Sequence, residues 1–273
     1  MPEQTTVATI SQAIGSRRRV DHWFYIAVGL LVILLNVAGF GPSLLDESMR
    51  NSRPSSLVVI HGMVASAWLL LFLAQATLVA TGRTSIHRRL GAIAPALTVV
   101  MIVLTFETTI EMVRRGHDLS GDLFRPAAAP GAPAPSAAEV DGGLGAFVGA
   151  LNFGVLVAAG WRYRRRPDIH KRLMLMALLS LGAFVPVLHL AGYVVGRWPD
   201  LFGPARLAPF AANLLLFAGA VHDKVTRGRI HPVSVWVPLA LIAVTLFAAA
   251  VALSAPWREF AAWLAGYHPH QFS

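Results

Sequence analysis

Seven apolar stretches, each nearly free of formal charge, divide this chain and leave little choice of fold. They run over about Trp23–Leu44, Leu57–Ala80, Leu90–Ile110, Leu144–Trp161, Leu173–Val195, Leu207–Val221 and Val233–Ala255. A bilayer crossing takes roughly 20 apolar residues in a helix, and no water is present there to satisfy an open backbone. The expected fold is therefore an all-α polytopic membrane bundle of seven transmembrane helices. The first run is too long for the core of a signal peptide and is expected to stay as an anchor.

Orientation follows from the basic residues, because cytoplasmic loops retain Lys and Arg. With the N-terminus inside, 15 of the 23 basic residues fall on the inner side, in dense clusters at Arg17–Arg19, Arg83–Arg89, Arg162–Arg172 and Lys224–Arg229. The expected topology is N-terminus in and C-terminus out, in a bacterial inner membrane. A cytoplasmic tail spans 1–22, the transmembrane domain 23–255 and a periplasmic tail 256–273. A periplasmic loop at about 112–143, rich in Pro, Ala and Gly, reads as a linker or mobile cover. Trp257, Trp263 and Tyr267 are expected on a short interfacial helix as an outer aromatic belt. The net charge of +9 is then explained by topology and by anionic lipid headgroups; nucleic acid is not expected as a partner. The chain contains no cysteine, which excludes disulfides, thiolate zinc and iron–sulfur clusters, so any metal is left to histidine, carboxylate or carbonyl.

An internal repeat marks the inner side. Arg83-Thr84-Ser85-Ile86-His87 aligns without gaps to Arg166-Pro167-Asp168-Ile169-His170, and Arg227-Gly228-Arg229-Ile230-His231 gives a third copy. The repeat predicts related helical hairpins, with Ser85 and Asp168 as N-caps and the following basic residues reaching lipid phosphates. Alternatively His87, His170, His222 and His231 form an inner cluster that, with Asp168 and Asp223, could hold a divalent metal. Gly91-x-x-x-Pro95 and Gly182-x-x-x-Pro186 predict breaks in two spans, since proline has no N–H for the preceding turn.

A second polar layer falls near the outer face. His61, Glu107, His189 and Asn213 sit on four different spans at similar depth, and polar side chains inside a membrane are functional hypotheses by default. They could be an interhelical hydrogen-bond network. They could also form a cofactor site in which His61 and His189 are axial ligands of a b-type haem, with Glu107 and Asn213 beside them. Zinc is the alternative metal. No span contains a lysine, so a retinal Schiff base is excluded.

Ile60-His61-Gly62, Leu71-Phe72-Leu73-Ala74-Gln75, His87-Arg88-Arg89-Leu90-Gly91 and His170-Lys171-Arg172-Leu173-Met174 resemble motifs of a group of bacterial multi-pass membrane proteins that has no activity to carry over. The likeness covers about Ser56 to Pro232 and implies a helical inner-membrane protein. More distantly, the paired histidines are similar to those of cytochrome b561 and ferric reductase-like bundles, which implies haem and electron transfer between a quinone and an outer acceptor. Seven spans with several histidines also resemble the adiponectin receptor and ceramidase group of metal-dependent lipid hydrolases, although the last span lacks a His-x-x-x-His pair. A non-catalytic membrane scaffold or carrier is the third expectation.

Overall fold

The computed structural model describes residues 2–47, 53–115, 137–197 and 208–266. Most of the Pro-Ala-Gly loop, and the tail with Tyr267, lie outside the described residues. The described residues are helices joined by short turns and connections, with no strand among them. In chain order the helices are α1 (Pro2–Leu45), α2 (Ser56–Ala80), α3 (Thr84–Gly91), α4 (Ala94–Arg115), α5 (Ala137–Arg162), α6 (Pro167–Gly182), α7 (Phe184–Arg197), α8 (Ala208–Leu215), α9 (Ala218–Arg227), α10 (Val233–Ala252) and α11 (Ala255–Ala265). Among the described residues, six helical segments are long and apolar enough to cross a membrane. These are Val20–Leu45, Ser56–Ala80, Thr84–Met112, Gly143–Arg162, Pro167–Leu190 and Val233–Ala252.

The expected sixth span, Leu207–Val221, is instead two short helices. The last turn of α8 tightens, with Leu216 and Phe217 donating to the carbonyls of Asn213 and Leu214, three residues back, and helix ends commonly close in this way. After this break α9 is inside-out: His222 and Asp223 are buried while Val221 and Val225 are exposed. Helix α1 runs unbroken from Pro2 through the first span, so the stretch expected as the 1–22 tail is helical from Pro2 onward.

Both Gly-x-x-x-Pro sites interrupt their helices, at Ala92–Ile93 between α3 and α4 and at Ala183 between α6 and α7. In the second, Pro186 leaves the Gly182 carbonyl without its helical donor. Asn36 of α1 supplies the replacement, its Nδ2 lying 2.7 Å from that carbonyl and 2.8 Å from the Val32 carbonyl of its own helix.

At the centre stands α6. Leu175, Met176, Ala177, Leu178 and Leu179 are consecutive and all buried, so this helix is apolar all round and enclosed by its neighbours. The outer helices keep large apolar side chains exposed, among them Leu34, Met63, Val99, Val155, Trp236 and Phe247, which is the surface a bilayer requires. A smaller apolar cluster seats α11 against α4 and α5 through Phe106, Phe147, Trp257 and Ala261. The expected belt therefore divides: Trp257 is 8 % exposed and part of this packing, whereas Trp263 is 70 % exposed. The helical twist of α11 turns positions six apart about 120° from each other, onto different faces.

Helix contact is closest where glycine permits it. A Cβ on Gly39 of α1 would lie 2.6 Å from the Pro186 carbonyl oxygen, a backbone atom with little freedom to move. Gly39→Ala is expected to force α1 from α7 and to cost about 1–3 kcal/mol. Thermal unfolding in detergent, compared with the exposed Gly62→Ala, measures it.

Candidate functional site

On the side of the bundle that carries the basic repeat, called inner for brevity, α1, α6, α9 and α10 meet at two carboxylates. Arg172, only 1 % exposed, donates from Nε to Asp223 Oδ2 at 3.0 Å and from Nη2 to Oδ1. Its Nε also lies 3.1 Å from Ser234 Oγ, while that hydroxyl donates to Asp223 at 2.8 Å. The His231 backbone N–H and Arg227 Nη1 complete the shell of Asp223, at 3.3 and 3.2 Å. Burial raises the Asp223 carboxyl, but hydrogen bonds from Arg172 and Ser234 together with the Arg172 charge outweigh this and hold it below its ordinary value.

Asp21 of α1 is the second centre. Its Oδ1 meets His222 Nε2 at 2.7 Å, and its Oδ2 accepts from Lys171 at 3.0 Å and Arg227 at 2.5 Å. Arg227 thus bridges the two carboxylates. Phe24 lies flat on the His222 ring, with centroids 3.9 Å apart, and the Lys171 ammonium stands 5.5 Å from the Tyr25 ring centroid. Asp21 and Ser234 carry no motif, and Arg172 stands in the His170-Lys171-Arg172-Leu173-Met174 motif only as one of its basic residues. The available signal was the rarity of carboxylates among so many inner cations, since Asp21, Asp168 and Asp223 each stand in a basic segment.

The repeat is realised twice and broken once. In the first two copies the histidine N–H closes the same turn onto the leading arginine, His87 to the Arg83 carbonyl at 3.1 Å and His170 to Arg166 at 2.9 Å. Arg83 and Arg166 are the N-caps, without a side-chain bond, so Ser85 and Asp168 lie inside the first turn and do not cap. In the third copy Gly228 takes a left-handed φ of 69° to end α9, and His231 precedes the next helix. Arg88 and Arg89 are exposed as lipid phosphates would require, whereas Lys171 and Arg172 turn inward to Asp21 and Asp223.

The inner histidines divide among different partners. His222 serves Asp21, and His231 Nε2 lies 3.5 Å from Asp168. His87 and His170 face each other, with centroids 6.3 Å apart and planes at 80°. Nδ1 of His170 is 2.8 Å from the Gly160 carbonyl, which can only accept, so this nitrogen carries the proton and Nε2 is left as the basic one. Among the described residues, no three His, Asp or Glu side chains are grouped to hold a metal ion. The inner metal reading and the hydrolase reading gain no ligand set from these positions.

The outer layer is built around the crossing at Gly182. Val32 of α1 and Leu69 of α2 both reach the Cβ position of Gly182, at 3.1 and 3.0 Å. Phe40, His61 and His189 lie eight, eight and seven residues beyond this crossing on α1, α2 and α7, about 10–12 Å toward the outer side along each helix. The ring of His189 rests on Phe40, with centroids 4.6 Å apart. Nδ1 of His61 is buried without a hydrogen-bond partner among the described residues. Asn213 is half-buried on α8, while Glu107 is exposed on the side of α4 opposite the buried Thr105 and Thr109. The structure thus sets His61 and His189 level and turns Glu107 away from the interior.

Arg172→Met would leave Asp223 buried with fewer partners and is expected to cost about 3–5 kcal/mol, while Arg172→Met with Asp223→Leu costs much less. Because the folded Asp223 value lies below the unfolded one of about 3.9, its contribution is complete above that pH and is lost as pH falls through the folded value. Melting temperatures of wild type and Asp223→Asn in detergent from pH 6 to 2 check this: the variant shows the shallower acid slope. No protein family, curated protein or solved structure matches this chain.

Proposed function

We propose that the protein is a seven-span inner-membrane redox carrier, in which a b-type haem held by His61 and His189 passes electrons between quinone and an outer acceptor. One observation carries this reading: two imidazoles from different helices stand at one level beyond the Gly182 crossing, and a buried ring nitrogen of His61 has no partner among the described residues. The donor types suit the group, since bis-histidine ligation uses two neutral imidazoles from different helices. When bound, haem supplies a one-electron couple whose potential follows from axial ligation, burial and nearby hydrogen bonds. The chain's own residues position the ligands: Phe40 supports the His189 ring, and the α6–α7 break sets where that ring lies.

The sixth crossing in this reading is α8 with the first turn of α9, a broken span completed by packing on its neighbours. Its N-in, C-out orientation places the carboxylate network on the cytoplasmic side, with the basic clusters. Since the chain has no cysteine, single-cysteine variants report topology cleanly. In intact cells a membrane-impermeant maleimide is expected to label Glu259→Cys and to leave Arg164→Cys unlabelled until the membrane is opened; the reverse pattern overturns the topology.

The cofactor is tested by visible spectroscopy of protein expressed with ample haem. A Soret band and a sharp α-band on dithionite reduction are expected, reduced at least about tenfold in His61→Ala and His189→Ala. A featureless spectrum overturns the haem reading, and metal analysis of the same sample then decides for or against zinc.

A further inference from the structure

From the end of α5 into α6 the chain reads Trp161-Arg162-Tyr163-Arg164-Arg165-Arg166, two aromatic residues among four arginines. Arg162, Arg164 and Arg165 line a cleft of about 200 Å³ that opens to the surface. The turn is tight: the backbone N–H groups of Tyr163, Arg164 and Arg166 donate to the carbonyls of Ala159, Trp161 and Tyr163 at 2.9, 3.2 and 2.8 Å. Its side chains are oriented as well. Arg164 Nη1 donates to the Trp161 carbonyl at 3.1 Å, and its guanidinium stands 4.9 Å from the Trp161 ring centroid. The Arg162 guanidinium is 5.9 Å from the ring centroid of Tyr163. A cation beside an aromatic face is attracted to it, so both rings steady the charges they adjoin.

The charge of the cleft calls for an anion. Three guanidiniums gathered on one cleft repel each other, and among the described residues no carboxylate is paired with any of them. Asp21 and Asp223 are engaged in the buried network, and Asp168 lies beside His231. Each guanidinium presents planar, forked N–H donors that match the paired oxygens of a phosphate.

Position selects the source of that phosphate. The cleft stands at the end of Gly143–Arg162, one of the segments long and apolar enough to cross a membrane. Trp161 and Tyr163 beside it are each partly exposed, as aromatic residues are where hydrocarbon gives way to headgroups. Behind Arg162, helix α5 exposes Ala158, Val155 and Leu151. Their spacing keeps these positions and Arg162 on one side of the helix, within about 60°. The stripe is about 16 Å long and gives acyl chains an apolar path that ends at a guanidinium, a feature that a free phosphate would not use.

We propose that this cleft binds an anionic phospholipid, its phosphate held by Arg162, Arg164 and Arg165 and its chains laid along Ala158, Val155 and Leu151. The site differs from the general attraction of anionic lipid to the basic side of the bundle, because oriented guanidiniums and an apolar stripe meet at one place. It does not depend on the haem reading.

Native mass spectrometry of the full chain in a non-ionic detergent tests it, with dioleoylphosphatidylglycerol, dioleoylphosphatidylcholine and inorganic phosphate as probes. Wild type is expected to bind phosphatidylglycerol at least about tenfold more tightly than phosphatidylcholine, which has the same chains and a phosphate but no net charge. Arg162→Gln combined with Arg164→Gln and Arg165→Gln is expected to weaken phosphatidylglycerol binding at least about tenfold, with unchanged melting temperature because all three side chains are exposed. Arg88→Gln with Arg89→Gln, an exposed basic pair on another turn of the same side, is expected to keep wild-type affinity. Equal losses in the two variants, or phosphatidylcholine bound as tightly as phosphatidylglycerol, overturn the proposal. Inorganic phosphate that binds wild type but not the triple variant, and displaces phosphatidylglycerol at millimolar concentration, makes the cleft a site for the free ion and overturns the lipid assignment.

Discussion

The buried pairing of Arg172 with Asp223 is the interaction on which the inner half of the bundle depends. Taking both charges out of water costs several kcal/mol per ion before any contact is made, and their arrangement offsets that cost by using nearly every lone pair and proton available. The guanidinium divides its donors among Asp223, Ser234 and the Asp168 carbonyl, while the carboxylate also receives Arg227 and a backbone N–H. Because these groups come from α6, α9 and α10, and Arg227 continues to Asp21 on α1, the network fixes the relative register of four helices. Apolar packing alone would leave that register loose, since lipid is as good an apolar neighbour as another helix.

How far the sequence was readable follows from which physical constraint each feature obeys. Spans follow apolar length, and six of the seven expected are long helical segments. The helix breaks follow from proline's missing N–H, and both Gly-x-x-x-Pro sites are broken. Helix rotation has no such marker. Glu107 and Thr105 are two residues apart, yet one is exposed and the other buried, and depth along a span does not distinguish them. Lys171 and Arg172 were hidden for another reason: they stand in a basic segment that the topology rule already accounts for, so their charge gave no sign that they turn inward. Asp21 and Asp223 were the better clue, because a carboxylate placed among inner cations has partners within reach.

The repeat shows how one motif can take different roles once the tertiary setting changes. Its first two copies share a backbone turn. Their basic residues nonetheless part, Arg88 and Arg89 to the surface and Lys171 and Arg172 to the carboxylates of Asp21 and Asp223, because only the second copy opens the central helix. In the third, Gly228 replaces the helical turn with a left-handed residue and frees the His231 N–H to serve Asp223. The similarity of local sequence in the first two copies therefore describes a shared backbone turn more closely than a shared chemical duty.

A proline break usually leaves a carbonyl loose and the two half-helices free to swing. Here the amide of Asn36 plugs that gap at Gly182 while holding Val32 on its own helix. The discontinuity then behaves as a pinned joint able to carry load, and bending it requires tearing a bond to a neighbouring helix. Any displacement of α7 is consequently transmitted to α1 as leverage, along the helix toward the point where Asp21 is clamped.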